Sequence, residues 1–250
     1  ITTRFRSDEC LSSLYATIHE TGHALYEQNL PREWLGQPAA QARSMAIHES
    51  QSLFFELQLG RHPAFVQWLA PQLRATFGAQ DAWEPDNLAL WLNRVQPGLI
   101  RVDADEVTYP AHILIRYGIE KALIEGDIEV EDIPALWDNG MEHWLGIDTR
   151  GNFKDGPMQD IHWTLGAFGY FPCYTLGAMY AAQWHACMKK LGIARQEDWQ
   201  NGEFGPIKNW LKNNIWSQAS FWPTDELVAR ASQEPLNPAH YKAHLAMRYL

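Results

Sequence analysis

The pattern that most constrains this chain is His-Glu-Thr-Gly-His at residues 19–23, set within a helical repeat of apolar residues. On an α-helix, residues four apart lie one above the other on one face, so His19 and His23 can hold a single metal ion between their imidazoles. Glu20 would then lie beside the open position of that ion, where its carboxylate can accept a proton from water. The alternative interpretation is two ordinary surface histidines. The motif therefore predicts a helix that carries a candidate metal site.

The residues around this motif predict a helix from about Ser7 to Gln28. On that helix His19 and His23 flank the apolar stripe, which directs both rings toward the protein interior. The residues of the stripe recur at the spacing of three and four that is typical of one helix face: Leu11, Leu14, Tyr15, Ile18, Gly22, Leu25 and Tyr26.

The next predicted helix, from about Ala39 to Leu59, is apolar on nearly every side, which is typical of a buried helix. Glu49 and Glu56 nevertheless share one of its faces, and a buried carboxylate must be paired or bound to a metal. A catalytic zinc site takes three protein ligands and leaves one position for water. Glu49 is the predicted third ligand. His48 and Glu56 are the competing candidates, and His48 is directed roughly 100° away from Glu49 on the helix.

Proline near a first turn and glycine after a last turn predict the remaining helices, with Asn237 as the N-cap of the final one. A short strand is predicted at Leu99–Val102. The expected fold is therefore one mostly α-helical domain over residues 1–250, with at most a small β-sheet near the site. We expect the remaining helices over Pro63–Phe77, Asp86–Val95, Pro110–Glu125, Glu131–Trp144, Pro172–Leu191, Pro206–Ser217, Thr224–Ser232 and Pro238–Tyr249.

Composition narrows the partners and the compartment. Lys and Arg number 20 against 30 Asp and Glu, and no basic stripe is visible, which argues against a nucleic-acid partner. The three cysteines are far apart and argue against both a disulfide framework and a thiolate metal site, so a reducing, cytoplasmic location is expected. Neither a membrane-spanning apolar run nor a secretory signal is present in the sequence. Because the chain begins with Ile and enters the motif almost at once, we expect it to be part of a longer protein.

Arg101 is a candidate for substrate binding, since it lies beside Asp103 and Asp105 at the end of the predicted strand. A guanidinium can bind a carboxylate through two hydrogen bonds, and an exopeptidase needs such a contact to hold a peptide's C-terminus. An exposed Arg paired with Asp is the more common arrangement of these residue types. The sequence leaves both interpretations open.

His162 and Tyr170 form a second candidate pair, with Tyr174 as the alternative tyrosine. A histidine and a tyrosine beside a metal can both donate hydrogen bonds to a tetrahedral oxyanion. The alternative is ordinary core packing in a segment that is rich in aromatic residues.

Four motifs that occur in order along the chain, with two weaker stretches at residues 106–123 and 234–238, closely resemble the carboxypeptidase Taq family of metallocarboxypeptidases. Their order and number make the resemblance specific, and it covers nearly the whole chain. The four motifs are HETGHALYE at residues 19–27, HESQS at 48–52, IRVDAD at 100–105 and GPMQDIHW at 156–163.

The resemblance implies a largely α-helical fold similar to that of the neurolysin and angiotensin-converting-enzyme peptidases. It implies a metal-dependent carboxypeptidase that hydrolyses C-terminal residues from peptides through a metal-activated water. The roles that it assigns are metal ligand for His19, His23 and Glu49, general base for Glu20, binding of the substrate's C-terminal end for Arg101, and contact with the scissile carbonyl for His162 and Tyr170, with Tyr174 in reserve.

Zn²⁺ is the expected metal, and Co²⁺ or Mn²⁺ also suits two histidines and a glutamate. The expected partners are peptides with a free C-terminus, and the resemblance also allows a homodimer. Family members are much longer, so the N-terminal half of the family's fold is expected to lie outside these 250 residues. The alternative functions are a zinc oligopeptidase or dipeptidyl carboxypeptidase, and a truncated metal-binding domain without activity.

Overall fold

Proline and glycine set the bounds of many helices in this structure. Pro63, Pro85 and Pro238 each lie in the first turn of a helix, where the missing N–H costs no intrahelical hydrogen bond. Gly126 and Gly146 follow the ends of two helices with φ of 77° and 69°. This left-handed conformation carries no steric penalty for glycine, so these positions end their helices at low cost.

The structure, a computed structural model, describes residues 1–3 and 9–250, and within those ranges its regular structure is helical, without a strand. Residues 54–60 form a π-helix directly after the second α-helix. The α-helices are α1 Cys10–Gln28, α2 Met45–Leu53, α3 Pro63–Phe77, α4 Pro85–Leu92, α5 Tyr109–Glu125, α6 Ile133–Leu145, α7 Pro172–Lys190, α8 Gln196–Gln200, α9 Gly205–Asn214, α10 Thr224–Ser232 and α11 Pro238–Tyr249. Short 3-10 turns cover Arg32–Trp34, Pro38–Ala40, Asp81–Trp83, Arg101–Asp103, Val130–Asp132 and Trp216–Gln218.

The chain divides into two compact units. The first unit comprises residues 1–93 and 176–250. Within it α1 packs against α2 and the π-helix, and α3 packs against α8. Large aromatic side chains fill its interior, and the largest that are fully buried include Trp184, Trp199, Trp216, Tyr26 and Phe54.

The second unit comprises residues 94–175. Helices α5 and α6 pack against each other in it. Their apolar faces form a small core of buried residues: Ile115, Ile119, Trp137, Met141 and Leu145.

The prediction of a mostly α-helical fold is confirmed. Three helices, α3, α10 and α11, have the predicted bounds, and Asn237 caps the last by accepting a hydrogen bond from the amide of Ala239. Helix α8 was not predicted from the sequence. The predicted first helix begins at Ser7, and residues 7 and 8 lie outside the described part of the chain.

The predicted strand at Leu99–Val102 is wrong, because this segment turns into the 3-10 helix Arg101–Asp103. The Gln159 side chain supplies the hydrogen bonds that a neighbouring strand would otherwise provide. Its Oε1 accepts from the amide of Arg101 at 2.8 Å, and its Nε2 donates to the carbonyl of Leu99 at 3.0 Å. A tertiary contact from a distant side chain therefore replaces strand pairing.

The predicted helix at residues 39–59 is also partly wrong, since α2 begins only at Met45. Ser44 accepts a hydrogen bond on its Oγ from the amide of Ile47, and this N-cap fixes the start of the helix. Toward its C-terminal end the predicted helix continues without a break to Gly60, but its geometry changes from α to π at Phe54.

Candidate metal centre

Three side chains of the first unit bring potential ligand atoms together. The ligand atoms of His19, His23 and Glu49 all lie within 4.8 Å of one another. Nε2 of His19 is 3.6 Å from one carboxylate oxygen of Glu49, and Nε2 of His23 is 3.7 Å from the other. The predicted third ligand thus lies on the side to which both imidazoles point.

Two glycines allow the helices to approach closely enough for this arrangement. A Cβ at Gly22 of α1 would lie 2.6 Å from the Cα of Ser52, so no larger residue fits between α1 and α2. A Cβ at Gly177 of α7 would lie 2.8 Å from the Cβ of Glu49. The backbones of α1 and α7 therefore both pack in close contact with α2, and together they fix the position of Glu49.

The buried polar residues next to Glu49 are tied to the surrounding tryptophans. The indole N–H of Trp184 donates to Ser50 Oγ at 3.2 Å, and that of Trp216 donates to Gln51 Oε1 at 2.8 Å. Such pairing removes the desolvation cost of burying polar groups in α2. It also restrains the rotation of α2, and with it the direction of Glu49.

The donor set suits a divalent cation. Two imidazole nitrogens and one carboxylate are the ligand types that zinc takes in catalytic sites, with a further position left open. Glu20 lies next to His19 on α1, and its negative charge raises the pKa of that histidine. The residues that are present thus fit the metal that the motif predicts.

The two histidines differ in protonation when no metal is bound. Burial alone would lower the pKa of His19, but the hydrogen bond to Glu56 and the charge of Glu49 raise it to about 9. Burial and the neighbouring rings of His19 and His48 lower the pKa of His23 to about 3. The carboxylates that hold a proton on His19 would equally favour a metal cation in its place.

The competing ligand candidates lie behind the two histidines. Glu56 Oε2 is 2.8 Å from Nδ1 of His19, on the opposite side of the ring from Glu49. Nδ1 of His48 is 2.7 Å from Nδ1 of His23. Neither residue belongs to the group of converging ligand atoms, so both are outer contacts of the site.

The second unit contains the other predicted site residues. Arg101 is buried and pairs with Asp160, to which its Nη2 donates at 2.7 Å. Its Nη1 donates to the hydroxyl of Tyr109, and its guanidinium lies 4.8 Å from the centre of the Tyr174 ring. The expectation of an exposed Arg101 paired with Asp103 or Asp105 is therefore wrong, because Arg101 is buried and its carboxylate partner is Asp160.

Asp160 is shared between two buried guanidinium groups. Its other carboxylate oxygen accepts from Nε of Arg116 at 2.7 Å, and the Arg116 side chain is fully buried. Burial lowers the pKa of Arg116 to about 10, although Asp160 opposes this effect. Burial would raise the pKa of Asp160, but the two guanidinium groups hold it below its usual range. Asp160 is thus the carboxylate that both guanidinium groups contact.

His162, Tyr170 and Tyr174 lie together in the second unit. Nε2 of His162 is 3.1 Å from the hydroxyl of Tyr174. The rings of His162 and Tyr170 are tilted by 49° to each other, with centres 5.4 Å apart. Burial and the charge of Arg101 lower the pKa of His162, so its ring is neutral near pH 7. Tyr174, the alternative tyrosine, thus has its hydroxyl within hydrogen-bond distance of the histidine.

A buried glutamate fixes the loop that follows His162. Glu120 of α5 accepts hydrogen bonds from the indole of Trp163 at 3.0 Å and from the amide of Gly169 at 3.1 Å. Burial raises the pKa of Glu120, and the two donors oppose that rise. The loop is thereby held at two points on either side of its exposed residues.

Asp160, Arg116 and Glu120 were not predicted from the sequence as functional residues. Arg116 and Glu120 are buried charged residues, and a charged residue on the apolar face of a predicted helix was the available signal for both. Asp160 stands inside the quoted motif GPMQDIHW, beside Gln159. The signal for its role was the need of a buried guanidinium for a carboxylate.

Comparison with known proteins shows which family and which relatives this sequence is similar to. The family described as carboxypeptidase Taq (M32) metallopeptidase matches residues 1–249. Thermostable carboxypeptidase 1 of Thermus thermophilus is 40% identical over 249 residues, with 100% of this chain and 49% of the relative covered. Carboxypeptidase 1 of Bacillus subtilis is 38% identical over 250 residues, with 100% of this chain and 50% of the relative covered. The chain thus spans about half the length of the curated relatives it matches.

Solved structures give the same result for the fold. Trypanosoma cruzi metallocarboxypeptidase 1 superposes with a TM-score of 0.95 at 47% identity, covering 100% of this chain and 52% of that one. The carboxypeptidase of Pyrococcus furiosus also has a TM-score of 0.95, at 36% identity, covering 100% of this chain and 50% of the other. Across residues 1–3 and 9–250, none of the helices is both long and apolar enough to cross a membrane. Since the family pattern matches residues 1–249 and the fold agrees, this chain belongs to the carboxypeptidase Taq (M32) metallopeptidase family.

Proposed function

We propose that this chain carries the metal centre of a metal-dependent carboxypeptidase, which removes residues from the C-termini of peptides. The observation that carries the proposal is the convergence of His19, His23 and Glu49 within 4.8 Å, in a chain of this family. Zn²⁺ is the proposed ion, because two imidazoles and a carboxylate form a common zinc ligand set, which Co²⁺ or Mn²⁺ can also use. A divalent ion bound there would polarise the scissile carbonyl and make a water molecule more acidic.

Glu20 is the proposed general base. Its carboxylate neighbours His19 on α1, and the two groups interact electrostatically. In this role it accepts a proton from the attacking water and later delivers it to the leaving amine, which is the proton transfer that peptide hydrolysis requires.

For the second unit we propose substrate binding. Arg101 and Arg116 both contact Asp160, and the presence of two guanidinium groups close together supports binding of a peptide's terminal carboxylate. His162 is the proposed donor to the substrate carbonyl together with Tyr170, and Tyr174 is the alternative partner, since its hydroxyl lies within hydrogen-bond distance of His162.

We also propose four features that the sequence predicts. They are a fold similar to that of the neurolysin and angiotensin-converting-enzyme peptidases, a single catalytic domain over residues 1–250, a homodimer and a cytoplasmic location. The all-helical structure of residues 1–3 and 9–250 supports the first of these.

Product analysis tests the activity. The zinc-loaded chain is incubated with a synthetic peptide that ends in a free carboxylate and, separately, with the same peptide ending in an amide. The products are identified by mass spectrometry. A carboxypeptidase releases single residues from the free peptide and cuts the amide far more slowly. Glu20→Gln should retain zinc and lose turnover, because the amide cannot accept the proton. Equal cleavage of the two peptides would contradict the proposal, and release of dipeptides or internal fragments would favour an oligopeptidase or dipeptidyl carboxypeptidase.

A second candidate function is a metal-binding helical domain that does not catalyse hydrolysis by itself. The observation that favours it is the coverage of only about half of the curated relatives. A chain that binds one zinc ion and cleaves neither peptide would support this candidate over the first.

A further inference from the structure

The rings of His19 and His23 are oriented in the same way. Each turns Nε2 toward the carboxylate of Glu49, at 3.6 Å and 3.7 Å, and each turns Nδ1 to an outer partner. An imidazole that gives one nitrogen to a metal carries its proton on the other nitrogen, so the outer partner must accept a hydrogen bond. The outer partners therefore decide which nitrogen faces Glu49.

Glu56 is the outer partner of His19. Its Oε2 lies 2.8 Å from Nδ1 of the ring, and its side chain is 19% exposed. Behind it, Nη2 of Arg61 lies 3.5 Å from the other carboxylate oxygen, and Nη1 of Arg61 donates to the carbonyl of Leu92 at 2.9 Å. The carboxylate is thus held from two sides, and as an anion it can only accept from the ring.

The π-helix places Glu56 at this ring. Residues 54–60 have π geometry, and Tyr15 of α1 donates its hydroxyl proton to the carbonyl of Gly60 at 2.6 Å. Position 60 is closely packed as well, because a Cβ there would lie 3.2 Å from the Tyr15 ring. The wider turn is therefore anchored to the same helix that carries His19. Single π segments inside α-helices are frequent at functional sites.

His48 is the outer partner of His23, and it has a partner of its own. Nδ1 of His48 lies 2.7 Å from Nδ1 of His23, and Nε2 of His48 lies 2.8 Å from Oε1 of Glu27. Only one proton fits between the two Nδ1 atoms. When Nε2 of His23 holds a metal, that proton belongs to His23, so His48 accepts it and donates its own Nε2–H to Glu27.

The two outer arrangements differ in strength. Glu56 accepts directly from a ligand ring and is mostly buried, whereas Glu27 acts through a second imidazole and has a side chain that is 56% exposed. Solvent weakens the interaction of an exposed charge with its neighbours. Loss of the Glu56 charge should therefore affect the site more than loss of the Glu27 charge.

We propose that Glu56 and the His48–Glu27 pair are positioning residues that hold His19 and His23 as Nδ1–H tautomers, with Nε2 directed at the metal. This inference rests on the metal site of the proposed function. It adds that Glu56 contributes more to metal binding than Glu27 does. It also adds that the π-helix serves the site by placing Glu56 at the ring of His19.

Zinc affinity of the metal-free chain, measured by competition with a chelator, tests this order. Glu56→Gln should weaken zinc binding by about 10- to 100-fold, the range found for outer partners of metal ligands. Glu27→Gln should weaken it by less than about tenfold, in keeping with its greater distance from the ion and its exposure. Glu33→Gln, at an exposed glutamate with no place in these contacts, is the matched control and should bind zinc as the wild type does. Glu56→Asp keeps the charge and should recover part of the affinity.

Nitrogen NMR of the zinc-bound histidines supplies a readout that a general loss of stability would not change. The wild type should show both ligand rings bound through Nε2 with a proton on Nδ1. Unchanged affinity in Glu56→Gln, or binding through Nδ1 in the wild type, would overturn the inference. A wild-type chain that takes up no zinc would instead overturn the metal site itself, which separates the two failures.

Discussion

Gly177 lies directly against the side chain of Glu49, so closely that a Cβ at position 177 would come within 2.8 Å of the Glu49 Cβ and 2.9 Å of its Cγ. The absence of a side chain in α7 thus determines where the carboxylate of α2 can lie. Helix packing, and not hydrogen bonding alone, therefore fixes the third candidate ligand of the metal centre.

Substitution of this glycine should damage the metal site. Gly177→Ala forces Glu49 away from the two histidines, and we expect zinc affinity to fall by about tenfold or more, comparable to the loss of an outer ligand contact. Overpacking of this kind costs about 1–3 kcal/mol of stability as well. Gly118→Ala is the matched control, because a Cβ there meets nothing within 4 Å and alanine favours a helix. Equal zinc affinity in Gly177→Ala and the wild type would show that α7 does not set the position of Glu49.

The buried cluster of the second unit should be sensitive to its single carboxylate. Asp160→Asn removes the carboxylate that both Arg101 and Arg116 contact, and breaking such a buried pair costs about 3–5 kcal/mol. Glu142→Gln removes one of the two partners of Arg150 in an ion pair whose side chains are 58% and 59% exposed, and should cost much less, because solvent screens an exposed pair. Urea unfolding followed by circular dichroism measures both free energies. A similar small effect of the two substitutions would mean that the buried cluster adds little to stability.

Stability should decrease in mild acid because of a buried histidine of the first unit. Burial and the charges of His62, His244, Arg248 and Lys189 lower the pKa of His185 to about 3. An unfolded histidine titrates near pH 6.5, so between that pH and about 3 the unfolded state binds a proton that the folded state does not. The stabilisation is complete above pH 6.5 and is lost progressively below it.

For one such histidine the loss between pH 7.5 and pH 5 is about 2 kcal/mol. His185→Gln should therefore flatten the dependence of the unfolding free energy on pH, while the exposed His143→Gln should leave it unchanged. The amide of glutamine can still donate to Gln58, which is the contact that His185 makes through Nδ1 at 3.1 Å. The same pH dependence in His185→Gln as in the wild type would contradict this assignment.

Periodicity and end signals predicted most helices, because proline, glycine and apolar spacing act within a few residues. They could not predict the shift from α to π geometry at Phe54, which depends on packing against α1. They also gave a strand at Leu99–Val102, since the hydrogen bonds from Gln159 that fold this segment come from a residue far along the chain.

In the candidate site, too, features set by nearby residues could be predicted from the sequence, and features set by distant contacts could not. His19, His23 and Glu49 were predicted, because helical spacing and a carboxylate on a buried helix are both visible in the sequence. The partner of Arg101 was not predicted, since a pairing with Asp160 depends on how the loop before α7 folds back onto the 3-10 turn at Arg101–Asp103. Glu56 was proposed only as a rival ligand; its contact with the outer nitrogen of His19 follows from side-chain direction, which spacing does not give.

The number of zinc ions that the chain binds at equilibrium tests the proposed metal centre most directly. After dialysis against a chelator and titration with zinc, we expect one tightly bound ion per chain. Substitution of a predicted ligand, as in His23→Gln or Glu49→Gln, should abolish tight binding, while the exposed His143→Gln should retain it. A wild-type chain that binds no zinc, or ligand variants that bind it as tightly as the wild type, would contradict the proposed metal centre.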